Sequence, residues 1–469
     1  MRRFFHIAII FFVAAGLCIA GFFLFSANKN VAIAPKIAEM ATSITTRGGV
    51  ASLSTSGTIS STPTIVINNS DPDLPPQPQL ANPPVIIKGI YITGWTAGSS
   101  ARMQALINLI KNTELNAVVI DIKDYSGYVS YAMDVPDVAA SGAENQIRIT
   151  RPNALIKELH DSGIYVIGRI TDFQDPILAK AHPEWALKNK TTGVVWTDNN
   201  GLAWMDPAAM PAWNYFASIA KDAFGRGFDE INFDYIRFAS DGSLGNIIYP
   251  YWDGKMPMAT VIAGYFKFLR QTFPNDRISA DLFGLSTVNN DDLGIGQVIQ
   301  NAYEYFDYVC PMVYPSHYAS GFIGYKSPAA YPYQVISYSL SHGFAKLLAM
   351  GNTNTTVSST GQARFAIGTI PNTKLRPWLQ DFDLGAVYTS AMIREEKQAV
   401  YDTLDTTPSS SFGSSLPSTG STSLLQANLG QVSLATGQLE TGQYYGGWLL
   451  WDASNDYLTS STENALDNK

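Results

Sequence analysis

Cysteine is nearly absent: Cys18 and Cys310 are the only two in the chain. They sit in separate apolar runs, so no disulfide is expected, and two cysteines exclude a Cys-rich staple or a structural zinc site. Basic residues are scarce too. The 31 Lys and Arg stand against 39 Asp and Glu, a formal charge of −8, which leaves no surplus for the basic face a nucleic-acid partner needs. The chain has no HExxH helix, no GxSxG elbow and no GxxxxGK loop, so the zinc protease, α/β-hydrolase and P-loop classes lack support. It also has no Gly-rich phosphate turn after its first β-like run, which leads into Gly94-Trp95-Thr96. That argues against an open dinucleotide-binding sheet. No cofactor or resident metal is expected, although clustered aspartates would suit calcium.

One long hydrophobic run is present. Residues 6–25, HIAIIFFVAAGLCIAGFFLF, are about the length of a helix that crosses a bilayer. Arg2 and Arg3 precede the run and keep that end in the cytoplasm, sending the rest outward. A cleavable signal peptide is the competing reading, but Phe25-Ser26-Ala27 puts a bulky residue where its cleavage site needs a small one. Residues 1–27 therefore read as a transmembrane anchor. Residues 28–84 are rich in Ser, Thr and Pro and read as a disordered linker stiffening toward its end.

From residue 85 to about 460, short β-rich apolar runs alternate with helical patterns, the mark of parallel βαβ architecture. Strands are expected at 86–93, 116–123, 164–170, 230–238, 277–283, 308–314, within 364–370, and at 446–451. Helices are expected near 102–112, 153–162, 211–225, 258–273, 295–303, 333–342 and 391–404. Eight units predict a closed (β/α)8 barrel. Residues 406–442, rich in Ser, Thr, Gly and Leu, read as an insertion into the last unit.

Such barrels keep their chemistry at the C-terminal ends of the strands. That rule selects Asp121 and Asp124 after strand two, Arg169 and Asp172 after strand three, and Glu230, Asn232, Asp234 and Arg237 on strand four. It adds Asp281 on strand five, Tyr314 and His317 after strand six, and Trp451 at the end of strand eight. Period two puts Glu230, Asn232 and Asp234 on one face and Ile231 and Phe233 on the other. The polar column should face the lumen, paired with Arg169 or Lys123. Glycoside hydrolysis fits this set, because it uses one carboxylic acid and a second carboxylate. Asp234 is the expected acid, with Asp281 or Asp121 as its partner. Trp451, Tyr314, Tyr91 and Trp95 would shape the sugar subsites, with Asp124, Arg169, Asp172, Glu230, Asn232, Arg237 and His317 around them. The 24 Tyr, 23 Phe and 9 Trp allow sugar stacking, but most of them are expected to fill the core.

The segments KGIYITGWTA, LNAVVIDIKDYSG, GRITDFQDP, WMDP, FDEINFDYIRF and GGWLLWDASNDY together resemble a bacterial family of glycoside hydrolase barrel domains, from about residue 88 to 457. The wider similarity is to chitinase-type barrels and to barrels acting on poly-N-acetylglucosamine. On that pattern Asp234 stands at the position of the chitinase acid, with Asn232, Glu230 and Gly227 at the preceding Asp positions. Met312, Tyr314 and Trp451 match as well, while Pro315 does not. Asn232 removes the carboxylate that would steer a substrate acetamido group, which argues against a substrate-assisted mechanism. Together these readings predict a hydrolase of a cell-envelope or exopolysaccharide glycan, monomeric and held by its N-terminal helix with the barrel outside the cell. A non-catalytic glycan-binding or scaffold barrel is the alternative, and transfer or hydrolysis of a glycan substituent is a third.

Overall fold

The computed structural model describes residues 72–351, 370–405, 442–457 and 460–463, and the backbone of 354–357, 363–366 and 459. The expected anchor, most of the linker and nearly all of the Ser/Thr-rich insertion lie outside the described residues. Among the described residues no helix is long and apolar enough to cross a membrane.

Eight parallel strands follow the expected alternation. They are β1 (Ile87–Ile92), β2 (Ala117–Lys123), β3 (Tyr165–Thr171), β4 (Glu230–Asp234), β5 (Ile278–Phe283), β6 (Tyr308–Met312), β7 in two pieces (Lys374–Leu375 and Trp378–Gln380) and β8 (Gly447–Trp451). Each pairs with the next, and β8 pairs with β1, so the sheet closes without an edge. The barrel helices are α1 (Ser100–Asn112), α2 (Pro152–Asp161), α3 (Met210–Arg226), α4 (Met258–Thr272), α5 (Ile299–Tyr303), α6 (Pro332–Met350) and α7 (Ser390–Val400). Their apolar stripes cover the outer face of the strands. In α1 the stripe is Met103, Leu106, Ile107 and Ile110, at helical spacing.

The seventh strand corrects the expectation. Residues 363–366 do form a strand, but it pairs antiparallel with 354–357 in a separate hairpin. The barrel strand lies downstream, where Pro377 interrupts it. Proline has no N–H to give a ladder, so β7 splits and its pattern is weak.

The end of the expected linker is not a free spacer. Asp73 accepts hydrogen bonds from the backbone N–H groups of Asn153 (3.1 Å) and Ala154 (3.0 Å), and so caps α2 from outside. The Gln77 N–H donates to the Arg226 carbonyl at 3.0 Å. Here Gly227 adopts φ +108°, and a Cβ on it would lie 2.3 Å from the Gln77 carbonyl oxygen, so only glycine fits. Leu80 donates its N–H to Asp229 (2.6 Å) and packs against the lumen cluster of Ile87, Ala117, Tyr165 and Tyr308. The segment crosses the N-terminal face of the barrel, opposite the ends that carry the acids.

Candidate active site

Period two holds on β4. Ile231 and Phe233 join the core beneath the helices, while Glu230, Asn232 and Asp234 face the lumen. The three do not form one site, because they lie at different depths.

Glu230 is in the floor. It pairs with Arg376 of β7, both side chains fully enclosed. One carboxylate oxygen also accepts from Ser279 Oγ (2.5 Å) and the other from Tyr165 Oη (3.2 Å). Its acceptor sites are filled and it has no exposure, so the structure places Glu230 in a sealed floor pair and not with the acids at the mouth, where it was expected. Its partner escaped the sequence reading because β7 had been sought upstream of Arg376.

Asn232 occupies the middle layer, donating to Ser279 Oγ (3.0 Å) and Asp281 Oδ1 (2.8 Å). Trp378 of β7 donates its Nε1–H to the same Asp281 oxygen at 2.7 Å. Trp378 was missed for the same reason as Arg376.

At the mouth one guanidinium gathers the acids. Arg169 of β3 donates through Nη1 to Asp121 (2.5 Å) and through Nη2 to Asp234 (2.5 Å), and its Nε lies 3.8 Å from Asp281 Oδ2. Tyr91 Oη donates to the other Asp121 oxygen at 2.5 Å. One planar fork holding both acids keeps Asp121 and Asp234 within the upper limit of about 9.5 Å used by two-carboxylate glycosidases. Trp451 lies over this group. Its ring stacks on Tyr91 at 3.8 Å and on the Arg169 guanidinium at 5.1 Å.

The charges do not balance, with three carboxyls sharing one cation. Burial opposes the Arg169 charge, but Asp121 and Asp234 outweigh it and hold it firmly protonated. Burial, and then the neighbouring Asp234, push Asp281 up to about 8 against the pull of Arg169 and of its two N–H donors. Asp121 is raised as well, chiefly by burial. Three buried polar atoms around the cluster have no hydrogen-bond partner among the described residues: Arg169 Nε, Asn232 Oδ1 and Tyr314 Oη. Buried polar atoms are rarely left so, and a bound oxygen-rich molecule would satisfy them.

The rim adds further groups. Trp95, 64% exposed, lies over Arg148, which pairs with Asp124 at 2.5 Å. His317 hydrogen-bonds Ser316 Oγ (3.0 Å) beside Tyr314 and Phe382. Arg237 sits among the rings of Trp204, Tyr235 and Phe283.

Two expected members turn away from the lumen. Asp172 accepts from Tyr265 Oη of α4 at 2.7 Å and is fully buried outside the barrel, so it leaves the candidate binding set. Lys123, offered as a partner for the polar column, follows a bulge in β2. It pairs with Asp175 at 2.9 Å and lies over the Phe216 ring of α3. Period two does not survive a bulge. Among the described residues no group of three or more His, Cys, Asp or Glu could hold a metal ion. Cys310 is free and buried in the lumen.

No curated protein matches the chain. Among solved structures it is similar to a hypothetical protein from Ruminiclostridium thermocellum, with 37% identity over 44% of this chain and 98% of that one and a TM-score of 0.38. It is also similar to the PgaB (BpsB) glycoside hydrolase domain from Bordetella bronchiseptica (10% identity, 78% of this chain and 94% of that one, TM-score 0.47). A third is the glycoside hydrolase domain of PelA from Pseudomonas aeruginosa (9% identity, 68% and 90%, TM-score 0.32). The family described as "putative glycosyl hydrolase domain" matches residues 89–407, from β1 to just past α7, and the chain belongs to that glycosyl hydrolase domain family.

Proposed function

We propose that this chain hydrolyses glycosidic bonds in a cell-envelope polysaccharide or exopolysaccharide by carboxylate acid–base chemistry, held at the outer face of the membrane by residues 1–27. The observation that carries the chemistry is the gathering of Asp121, Asp234 and Asp281 around one arginine at the barrel mouth. Glycoside hydrolysis needs one carboxyl that keeps a proton at neutral pH and a second that is ionised.

The sequence points to Asp234 as the acid. Its ion pair with Arg169 and the raised Asp281 favour exchanging the two roles. Asp281 Oδ1 is taken by two N–H donors, which leaves Oδ2 to carry the proton toward the leaving oxygen. Asp234, on Arg169 and with the Tyr235 N–H at 2.6 Å, is then the carboxylate that attacks the anomeric carbon or activates water. Asp121 orients Arg169 and Tyr91, while Trp451 and Trp95 offer faces on which sugar rings stack.

The test uses the full chain in membranes, wild type beside Asp234→Asn, with a panel of purified envelope and exopolysaccharide glycans. New reducing ends from wild type that the variant fails to produce are the expected result. Tight glycan binding without release by either protein would replace the hydrolase with a glycan-binding barrel. Release that survives the substitution would move the chemistry away from Asp234.

A further inference from the structure

Four arginines among the described residues are buried: Arg148, Arg169, Arg237 and Arg376. Three have carboxylate partners, namely Asp124, Asp121 with Asp234, and Glu230. Arg237 is 7% exposed, yet among the described residues no carboxylate forms an ion pair with it. Its guanidinium lies instead over three rings, at 4.7 Å from Trp204, 5.0 Å from Tyr235 and 4.8 Å from Phe283. Nη1 donates to the Phe238 carbonyl (3.1 Å) and Ser240 Oγ (2.9 Å). Nε and Nη2 make no hydrogen bond among the described residues, and neither is sealed from water. That edge is the fork that matches a carboxylate in a bidentate pair. Burial lowers the Arg237 pKa and outweighs Asp234, Asp241 and Asp198, which act on it only from beyond ion-pair distance.

The placement ties this group to the acids. Tyr235 directly follows Asp234 in a left-handed conformation (φ 54°), rare for a residue with a side chain, and the Arg237 N–H closes on the Tyr235 carbonyl at 3.0 Å. Phe283 stands two residues beyond Asp281 on β5. Two of the three rings, Tyr235 and Phe283, therefore stand at the same two strand ends as Asp234 and Asp281.

We propose that Arg237 receives the carboxylate of an acidic sugar, so that the glycan cleaved is of the uronic acid type rather than neutral. This rests on the glycoside hydrolase reading above. The carboxylate supplies a direct counter-charge, and the half-buried rings of Tyr235 and Phe283 hold the sugar face.

The test is a binding titration of the full chain with sodium glucuronate, sodium galacturonate, glucose and inorganic phosphate, read by tryptophan fluorescence and ligand-observed NMR. At least one uronate is expected to bind about tenfold or more tighter than glucose, a difference that Arg237→Gln removes and Arg237→Lys only partly keeps. Circular dichroism and thermal melting establish that the variants fold, and Ser240→Ala, which frees Nη1 without removing the charge, should give a smaller loss. Equal binding of uronates and glucose, or a uronate preference that survives Arg237→Gln, would overturn the proposal. So would a preference for phosphate over both uronates, which would move the anion to a phosphate substituent. Because the readout is binding, it is independent of cleavage. Reducing ends released from a neutral glycan, with no uronate preference, would leave the hydrolase standing and remove only this assignment.

Discussion

At the floor of the barrel one arginine meets one carboxylate. Arg376 is matched to Glu230, whose oxygens also accept from Ser279 and Tyr165, and both side chains are fully enclosed. At the mouth Arg169 faces three carboxyls, those of Asp121, Asp234 and Asp281. The residue types are the same and the strands are shared, since Glu230 and Asp234 lie on β4. What differs is the count of charges, with only a slight opening to solvent at the mouth, where the side chains are 1–6% exposed against none at the floor. A balanced pair whose carboxylate oxygens are all engaged holds the barrel together. An excess of carboxyls around one cation holds a proton, and the proposed acid–base chemistry rests on that proton.

The largest expected effect separates the two regions directly. Asp281→Asn should lower glycan hydrolysis by roughly 10²–10⁴-fold, the usual worth of a general acid, while leaving the denaturation midpoint unchanged or higher. A loss of stability matching the loss of activity would make Asp281 another floor residue. At the floor, Arg376→Met strands a buried carboxylate and should cost about 3–5 kcal/mol in denaturant unfolding. The double change with Glu230→Leu should recover most of that cost. A tolerated Arg376→Met would erase the contrast.

The pH dependence sharpens the comparison further. The folded protein holds the Asp281 proton up to about 8, whereas the unfolded chain releases it near the ordinary aspartate value of 3.8. This group's contribution to stability is thus fully present below that lower value and is lost as pH rises through about 8. Unfolding measured across this range should slope less in Asp281→Asn, and hydrolysis should fall as the proton leaves. A smaller effect is expected from Trp451→Ala. It should raise KM several-fold with less change in kcat, since stacking serves bound substrate and transition state alike. Smallest of all, Asp73→Ala removes the external cap of α2 and should cost about 1 kcal/mol with no effect on hydrolysis.

Much of this is legible in the sequence. Six of the strands and all seven barrel helices fall where the alternation of short apolar runs and helical stripes puts them, because both patterns are local. Strand four was expected to run on to residue 238, but it ends at Asp234, where Tyr235 turns the chain into a left-handed conformation. Strand seven was not legible. Pro377 splits it, and Arg376, an inward charge in a barrel strand, reads as surface. With it went the floor pair and the Trp378 bond to Asp281. Lys123 and Asp172 were misdirected by a bulge and by a partner on a distant helix. Nothing in the spacing marks Arg237 as the buried arginine that, among the described residues, forms no ion pair.

The sequence by itself determined the eight-unit barrel, the inward column Glu230, Asn232 and Asp234, and the clustering of acids at strand ends, since side-chain alternation and strand polarity need only neighbouring residues. Only the tertiary structure decided which arginine meets which acid, which depth is sealed and where the proton rests. Those depend on register between strands far apart in the chain, and on how much water each layer is left.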